Sequence, residues 1–342
     1  MRTVVTGGCG FIGSHVVDAL IAAGHEVVVV DAAARLLNPA AEYRTADILD
    51  VESLTAALEG GEAVFHLAAA ADVEQVSADP VRALRLNVEG TGNALEAARR
   101  VGLNRFVLAS TVWVYGAAHE GGGTGPDPSE LAEDVPIDLR RSGHLYVATK
   151  LAAEMTVHSY RELYGQHFTI LRYGIPYGPR MRDALVVAKF VQAALAGEPI
   201  TIAGEGRQTR NYVYVEDLAA AHVLALSPAA EDETFALEGT TPISVRQIAD
   251  TVDGLLGPIS VRQVPARAGD YAGTRISNAK AKRLLGWSPT TGFTEGVRRY
   301  IEWYRASQAQ PRSQAPAQAP AQAEAQARPQ AQALPQPQAQ AG

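Results

Sequence analysis

The sequence has little cysteine, no dense run of basic residues and no apolar stretch of membrane-spanning length. Its one cysteine, Cys9, excludes an internal disulfide framework and a paired Cys/His zinc site. Lysine and arginine total 30 against 37 acidic residues, a formal net charge of -7, so the chain lacks the positive patch of a nucleic-acid or anionic-membrane surface. Met1 leads directly into an apolar run and a Gly-rich turn, unlike a signal peptide. We therefore expect a cytoplasmic globular protein.

What the chain does contain is a regular alternation of short apolar runs and helical patterns. Apolar residues make up 47% of the sequence, which is enough to bury a large core. Runs such as EVVVVD, AVFHLA and RFVLAS alternate with GSHVVDALIAAGH, NALEAARRVG and a helical pattern from about Tyr146 to Tyr164. Strands that alternate with helices predict an α/β fold with a doubly wound parallel sheet.

Three regions follow from this pattern. We assign residues 1–173 to the doubly wound domain, with a returning segment near 212–227. The looser pattern with Gly/Pro turns over 174–306 predicts mainly a smaller α/β lobe for substrate. Residues 307–342 are nearly all Gln, Ala and Pro, which predicts a disordered tail because few large apolar groups are available to bury.

The stretch TGGCGFIG, residues 6–13, follows a predicted strand and opens a helix. Its glycines allow a tight turn and a close approach of the backbone to a pyrophosphate, which then lies against the helix N-terminal amides. Asp31 ends the second predicted strand about twenty residues later, where a carboxylate can bind both hydroxyls of an adenosine ribose. Because that charge repels a 2′-phosphate, the pattern favours NAD over NADP.

Three other residues near this turn carry weaker patterns. Asp47 follows a short predicted strand and is expected beside the adenine, with a solvated surface acid as the open alternative. Cys9 lies between glycines of the turn, and His66 lies within the run AVFHLA and is predicted to be a core histidine. Neither Cys9 nor His66 is assigned a catalytic role.

Tyr146 and Lys150 are four residues apart in YVATK, so on a helix their side chains leave the same face. A tyrosine with its ordinary pKa of about 10 is a poor base at neutral pH, and a nearby ammonium lowers that pKa by stabilising the phenolate. We therefore predict that Lys150 lowers the pKa of Tyr146. The pair alone is common on surface helices, but here it follows a dinucleotide-type turn.

The predicted strand RFVLAS ends in two hydroxyls, Ser110 and Thr111. Ligands of a parallel sheet bind beyond the carboxyl ends of its strands, so these hydroxyls are expected to bind a substrate hydroxyl or carbonyl and to relay its proton to Tyr146. Thr111 is the preferred partner, and Ser110 is predicted to pack or to orient other groups. Simple capping of the strand end is the open alternative for both.

Together these residues resemble the extended short-chain dehydrogenases/reductases that act on nucleotide sugars, in particular UDP-glucose 4-epimerase-like proteins. The resemblance runs from residue 1 to about 305 and includes the motifs HLAAAADV, NVEGTGNALEAAR, STVWVYG, LRYGIPYGPR, GEGRQTRNYVYVEDLA and RAGDYAGTRISNAKAKRLLGW. It implies Thr111 as the active-site hydroxyl, Tyr146 as the base, and Lys150 as its partner that holds the nicotinamide ribose. It also implies an NAD contact set of Gly7, Gly10, Phe11, Ile12, Gly13, Asp31, Asp47, Ile48, Leu67, Ala68, Ala69, Tyr146 and Lys150.

The resemblance extends to the substrate. Arg210 and Arg267 look like the family's diphosphate-binding arginines, and Asp270 like the acid near the nucleotide ribose. Two guanidiniums can clamp a diphosphate with charge-assisted hydrogen bonds, although surface arginines in loops remain the alternative. Many relatives have an asparagine that helps to hold the diphosphate or sugar where this chain has Ile175, which cannot do so. Thr274 lies where some epimerases have a bulky aromatic, so a small residue there leaves room for an N-acetyl group at sugar C2.

The residues after Thr111 narrow the expected chemistry. Dehydratases and UDP-glucuronate decarboxylases of the family carry acids there, whereas this chain has Val112 and Trp113. The resemblance therefore implies an NAD-dependent epimerase of a nucleotide diphosphate sugar, with a UDP-hexose epimerised at C4 through a 4-keto intermediate. The alternatives are a nucleotide-sugar ketoreductase, a 3- or 5-epimerase, or a non-catalytic NAD-binding regulator.

Two further expectations concern assembly and cover of the site. Relatives pair through two long helices, here near 85–101 and 145–164, which implies a homodimer. Met155 and Val157 on the second helix face either the partner or the sheet. The loop from about 117 to 143, rich in Gly, Pro and acids, either covers the site or is a passive connector.

Overall fold

The computed structural model describes residues 1–33, 35–116, 130–139, 143–265 and 275–309. Its strands are β1 (Arg2–Thr6), β2 (Glu26–Asp31), β3 (Glu42–Thr45), β4 (Ala63–His66), β5 (Arg105–Thr111), β6 (Glu130–Leu131), β7 (His167–Tyr173), β8 (Ile175–Tyr177), β9 (Ile200–Ala203), β10 (Thr209–Tyr214), β11 (Glu233–Leu237), β12 (Pro242–Ser244), β13 (Val261–Val264) and β14 (Arg275–Ile276). Its α-helices are α1 (Phe11–Ala22), α2 (Val51–Leu58), α3 (Val73–Ala78), α4 (Pro80–Leu84), α5 (Gly90–Arg100), α6 (Leu145–Tyr164), α7 (Val186–Leu195), α8 (Val215–Leu224), α9 (Val245–Leu256), α10 (Ala279–Leu285) and α11 (Phe293–Ala309). A π-helical segment, Arg85–Glu89, joins α4 to α5.

Within the described ranges, seven parallel strands form one large sheet in the order β11-β7-β5-β4-β1-β2-β3. Most residues of strands β1, β2, β4, β5 and β7 are buried, because helices cover both faces of the sheet. Val5 and Phe235 belong to the core under α1 and α8, whereas Val4 and Phe106 belong to the core under α2, α5 and α6. The predicted doubly wound parallel sheet is confirmed.

A smaller lobe packs beside the carboxyl end of this sheet. Its core brings α7, α9 and α11 together around three fully buried tyrosines, Tyr177, Tyr214 and Tyr300. Short sheets complete it, with β10 between β8 and β12 and β9 paired with β13. Among the described residues, no helix combines the length and the apolar character needed to cross a bilayer.

The chain passes between the two lobes more than once. After β10, helix α8 packs on α1, and β11 then pairs with β7 at the edge of the large sheet. The sequence pattern marks only 212–227 as returning, but β11 at 233–237 also belongs to the large sheet because Phe235 and Leu237 alternate into its core. At the other end, α11 continues to Ala309, so the first residues of the expected tail are helical.

Candidate active site

The Gly-rich turn connects β1 to α1 and has no room for side chains. Gly7 has φ of 71°, and a Cβ built on it would lie 2.7 Å from the Ala68 backbone nitrogen. A Cβ on Gly13 would lie 2.2 Å from the Gly7 carbonyl oxygen. Gly10 is the N-cap residue of α1 and provides no side-chain cap, so the first-turn amides remain available to a phosphate. The turn thus has the shape and the donors that a dinucleotide pyrophosphate requires.

Of the two acids expected near the adenosine, Asp31 lies beside this turn. Oδ2 of Asp31 accepts a hydrogen bond from the Cys9 backbone N–H at 3.0 Å, which fixes the carboxylate against the turn. Asp47 is exposed, and its Oδ1 accepts from the Leu49 N–H at 2.9 Å, while Ile48 is buried. Burial raises the pKa of the Cys9 thiol, which agrees with its lack of an assigned role. The adenosine contacts of these residues stay a prediction.

A cavity of about 670 Å³ opens at the carboxyl end of the large sheet, between the two lobes. It brings together most of the residues that the sequence predicts: Gly7, Gly10, Phe11, Ile12, Gly13, Leu67, Ala69, Thr111, Tyr146 and Lys150. It does not include the remaining predicted residues of the described part: Asp31, Asp47, Ile48, Ala68 and Arg210. Its wall also contains residues that sequence reasoning did not single out, among them Arg180, Arg182 and Trp303.

Lys150 lies on α6 with its ammonium beneath the cavity. The side chain is 5% exposed, and Nζ donates a hydrogen bond to the Ala109 carbonyl at 3.0 Å. Burial lowers the pKa of Lys150 to about 8, with the charge of Glu154 opposing that change. Lys150 is therefore mainly protonated at neutral pH, and its position is fixed by the strand that carries Thr111.

Tyr146, one turn earlier on α6, is held between two rings. Trp113 meets it edge-on with ring centroids 6.3 Å apart, and His144 stacks at 6.2 Å. Burial raises the pKa of Tyr146 to about 12, and the positive charge of Arg182 opposes this rise. For the polypeptide alone, the prediction that Lys150 lowers the pKa of Tyr146 is wrong, because burial of the phenol outweighs the attraction of positive charge for the phenolate. The cation that opposes the rise is Arg182.

The two hydroxyls at the end of β5 have different partners. Oγ1 of Thr111 accepts from the Trp113 N–H at 3.2 Å and so caps the short 3-10 turn Val112–Tyr115. This bond uses an oxygen lone pair, which leaves the hydroxyl hydrogen able to donate to a substrate. Ser110 instead donates to Oε1 of Glu154, which supports an orienting role for Ser110.

Val112 and Trp113 occupy the positions where the family resemblance implies acids for dehydration or decarboxylation. Val112 is 4% exposed and packs against Tyr115, Leu131 and Val135. Trp113 lines the cavity and touches the Tyr146 ring. Neither side chain can transfer a proton, and of the two only Trp113 lines the cavity.

Asn87 is a structural part of the site that sequence reasoning missed. It lies 1% exposed in the π-helical segment, exchanges hydrogen bonds with both backbone groups of Ala70 at 2.7 and 2.9 Å, and donates to Thr149 at 3.0 Å. It therefore ties the cavity loop after β4 to helix α6. The sequence signal that could have identified Asn87 is its place in the middle of a long helical pattern, because asparagine is a poor helix former.

The remaining expectations have mixed outcomes. His66 is confirmed as a core histidine, 2% exposed and 2.8 Å from Oγ1 of Thr6. Arg210 lies on β10 and donates to the Thr209 carbonyl at 2.7 Å. Arg267, Asp270, Thr274, residues 117–129 and 140–142 of the expected covering loop, and residues 310–342 of the tail lie outside the described residues.

Comparison with known proteins agrees with this geometry. Residues 3–237 match the NAD dependent epimerase/dehydratase family. The chain is 36% identical over 321 residues to a UDP-glucose 4-epimerase of Mycolicibacterium smegmatis, with 89% of this chain and 99% of that protein covered. The UDP-glucose 4-epimerase of Thermotoga maritima with UDP-glucose has a TM-score of 0.80 at 32% identity, over 90% of this chain and 100% of that one. The Thermus thermophilus enzyme in complex with NAD has a TM-score of 0.79 at 33% identity, again over 90% and 100%. The chain therefore belongs to the NAD-dependent epimerase/dehydratase family, and its resemblance to nucleotide-sugar epimerases of the extended short-chain dehydrogenase/reductase type is confirmed.

Proposed function

We propose that this protein interconverts UDP-hexoses that differ at C4, by transient removal and return of a hydride. The observation that carries the proposal is the cavity itself, which combines the Gly-rich turn with Thr111, Tyr146 and Lys150. Trp113 of the cavity wall and the buried Val112 beside it stand where the family resemblance implies acids for dehydration or decarboxylation. Hydride transfer without further acid–base chemistry fits this set of groups best.

In the proposed reaction, Tyr146 takes the proton of the C4 hydroxyl while Thr111 donates a hydrogen bond to the same oxygen. When bound, NAD supplies a hydride acceptor and donor for C4 and a positive charge beside the phenol. Loss of the proton and the hydride leaves a 4-keto sugar, which turns about its phosphate linkage to present its other face. Tyr146 then returns the proton to the oxygen, and both the enzyme and its cofactor end as they began.

The pKa of Tyr146 sets a requirement for this chemistry. With a pKa of about 12, ionising the phenol at pH 7 costs about 7 kcal/mol. Positive charge near the phenolate must reduce that cost, and the protein contributes Arg182 from the second lobe. In the proposal, Lys150 holds the nicotinamide ribose, and the hydrogen bond from its Nζ to the Ala109 carbonyl supports this role because it fixes the ammonium.

The direct test is incubation of the NAD-loaded protein with UDP-, dTDP- and GDP-hexoses, including N-acetylated sugars, followed by NMR of the products. We expect UDP-hexoses to equilibrate with their C4 epimers without net consumption of added NAD or NADH. Stoichiometric consumption of NAD(P)H would instead identify a ketoreductase, and inversion at C3 or C5 would identify another epimerase. Cofactor binding without turnover of any sugar would favour a regulator.

We also propose a homodimer formed through the helical faces of α4 to α6. Val81, Leu84 and Met155 on this side are 66, 44 and 63% exposed, which is unusual for large apolar side chains grouped on adjacent helices. Val157, by contrast, is 1% exposed and packs under the sheet. Light scattering of the wild type and of Met155→Asp tests the proposal, since the charged variant should shift the mass toward the monomer.

A further inference from the structure

Trp113 is a large aromatic residue at the cavity, and the proposed mechanism gives it no binding role. It lies in the short 3-10 turn Val112–Tyr115, whose other three side chains are at most 4% exposed. Trp113 is 38% exposed and lines the cavity. The turn therefore buries its other side chains and leaves its largest one at the space where the substrate is proposed to bind. Aromatic walls of this kind are typical of small-molecule sites.

The orientation of the indole ring is fixed by two neighbouring rings. The ring centroids of Trp113 and His144 are 5.3 Å apart at an interplanar angle of 78°, and those of Trp113 and Tyr146 are 6.3 Å apart at 89°. Both pairs meet edge-on, an arrangement that aromatic rings prefer. Because His144 and Tyr146 also stack on each other, the three rings form one cluster at the start of α6. The indole is therefore held in place by the protein before a ligand binds.

Trp113 contacts both residues that act on the sugar oxygen in the proposed reaction. Its backbone N–H donates a hydrogen bond to Oγ1 of Thr111 at 3.2 Å, and its ring meets the ring of Tyr146. All three residues line the same cavity. A hexose whose C4 oxygen reaches the hydroxyls of Thr111 and Tyr146 therefore lies alongside the indole. In that complex, the glycosyl unit is the part of the substrate nearest to Trp113.

An indole suits the surface of a sugar that must turn over during the reaction. The apolar surface of a hexose consists of C–H groups with a partial positive charge, and these pack favourably on the negative face of an aromatic ring. Such a contact depends less on direction than a hydrogen bond does. Epimerisation at C4 requires the 4-keto sugar to present first one face and then the other. A polar side chain at position 113 would favour one orientation, whereas an indole can support both.

We propose that Trp113 binds the glycosyl unit by packing its indole against the sugar C–H groups in both orientations of the 4-keto intermediate. This rests on the proposed function and adds to it the residue that holds the sugar while it turns. The side chain contributes contact area and takes no part in proton transfer. Both C4 epimers should make this contact to a similar extent, because each corresponds to one orientation of the keto sugar.

The test measures the affinities for UDP-glucose, UDP-galactose and UDP by calorimetry on the NAD-loaded protein. Every sample carries Tyr146→Phe, which keeps the ring beside Trp113 but removes the phenol oxygen, so that the two sugars are not interconverted during the titration. Trp113→Leu removes the aromatic face, and we expect it to weaken binding of both sugar nucleotides by about tenfold while the affinity for UDP is unchanged. Trp113→Phe retains an aromatic face, and its affinities should stay within about twofold. Trp113→Met provides the same comparison if the leucine variant folds poorly.

The matched control is Val261→Ala on β13, where the apolar side chain is also 38% exposed but does not line the cavity. It should leave all three affinities unchanged.

Three results would overturn the inference. The first is unchanged affinity for both sugars in Trp113→Leu and Trp113→Met, and the second is an equal loss for UDP and the sugar nucleotides, which would indicate a structural role. The third is a loss for only one of the two epimers. If the protein with Tyr146 intact binds both sugars but does not interconvert them, the proposed function fails, whereas the binding comparison still decides whether Trp113 contacts the sugar.

Discussion

Ser110 donates a hydrogen bond to Oε1 of Glu154 at 2.5 Å, so the first of the two hydroxyls at the end of β5 is tied to a buried ion pair. Glu154 also accepts two hydrogen bonds from Arg172, at 3.1 and 2.7 Å, and all three side chains are almost completely buried. Thr111 has no part in this network and caps the turn that follows. The two adjacent hydroxyls should therefore respond differently to removal.

Thr111→Val should lower kcat by about a hundredfold, because the sugar oxygen loses its hydrogen-bond donor during proton transfer. The NAD content should not change, since the substitution keeps the shape of the side chain. Steady-state kinetics with the substrate identified by NMR provides the measurement. A kcat within a few-fold of the wild type would remove Thr111 from the mechanism.

Ser110→Ala should act mainly on stability. It leaves Glu154 without one of its buried donors, which should lower the free energy of unfolding by about 1–3 kcal/mol. Denaturant titration measures this loss, and kcat should fall much less than in Thr111→Val. A large loss of kcat with unchanged stability would instead assign the catalytic role to Ser110.

Arg182→Gln should shift the acid limb of the pH profile of kcat to higher pH, because Arg182 lowers the pKa of Tyr146. Arg182→Lys retains the charge and should restore most of the profile. Asp72→Asn is the matched control, since it removes the carboxylate that pairs with Arg182 at 2.8 Å but leaves the positive charge in place. If the profile of Arg182→Gln matches the wild type, Arg182 does not assist ionisation of the phenol.

Lys150→Met should abolish turnover and stabilise the fold. The pKa of Lys150 is lowered from 10.5 to about 8, so below pH 8 the folded state carries a charge that the unfolded state solvates better. Removing this group should raise the free energy of unfolding by up to about 3 kcal/mol at pH 7. This gain in stability should decrease between pH 8 and 10.5, because the cost of keeping Lys150 neutral in the folded wild type disappears as the unfolded wild type also loses this proton. Denaturant titrations of the wild type and Lys150→Met at pH 7 and pH 10 measure this gain. An equal difference in stability at both pH values would contradict the prediction.

Glu238→Gln should gain stability relative to the wild type as the pH rises. The pKa of Glu238 is raised from 4.5 to about 8, so the folded wild type binds more protons than the unfolded chain between these values. Wild-type stability from this group therefore falls over that interval, by up to about 5 kcal/mol. Unfolding titrations of both proteins at pH 5 and pH 8 measure the difference, and an equal gap at both pH values would contradict the raised pKa.

The sequence was informative where function depends on short-range patterns. The Gly-rich turn and the spacing of Tyr146 and Lys150 are local patterns, and the structure brings both to the cavity. The pKa of Tyr146 was predicted in the wrong direction because burial depends on the whole surrounding structure. Arg182 and Asp72 are 110 residues apart along the chain, so no local pattern relates them. The contact of Glu238 with Gly174 is non-local in the same way, since it exists only because β7 and β11 are neighbours.

The late return of the chain to the large sheet limits how this protein can be recombined with its relatives. A chimera joined at residue 173 would take β7 from one parent and β11 from the other, although these strands share a continuous ladder from Glu233↔Thr169 to Leu237↔Tyr173. It would likewise pair α1 of one parent with α8 of the other. Exchange of the smaller lobe between family members therefore requires transferring both halves of this interface together, because the smaller lobe is not an independent module.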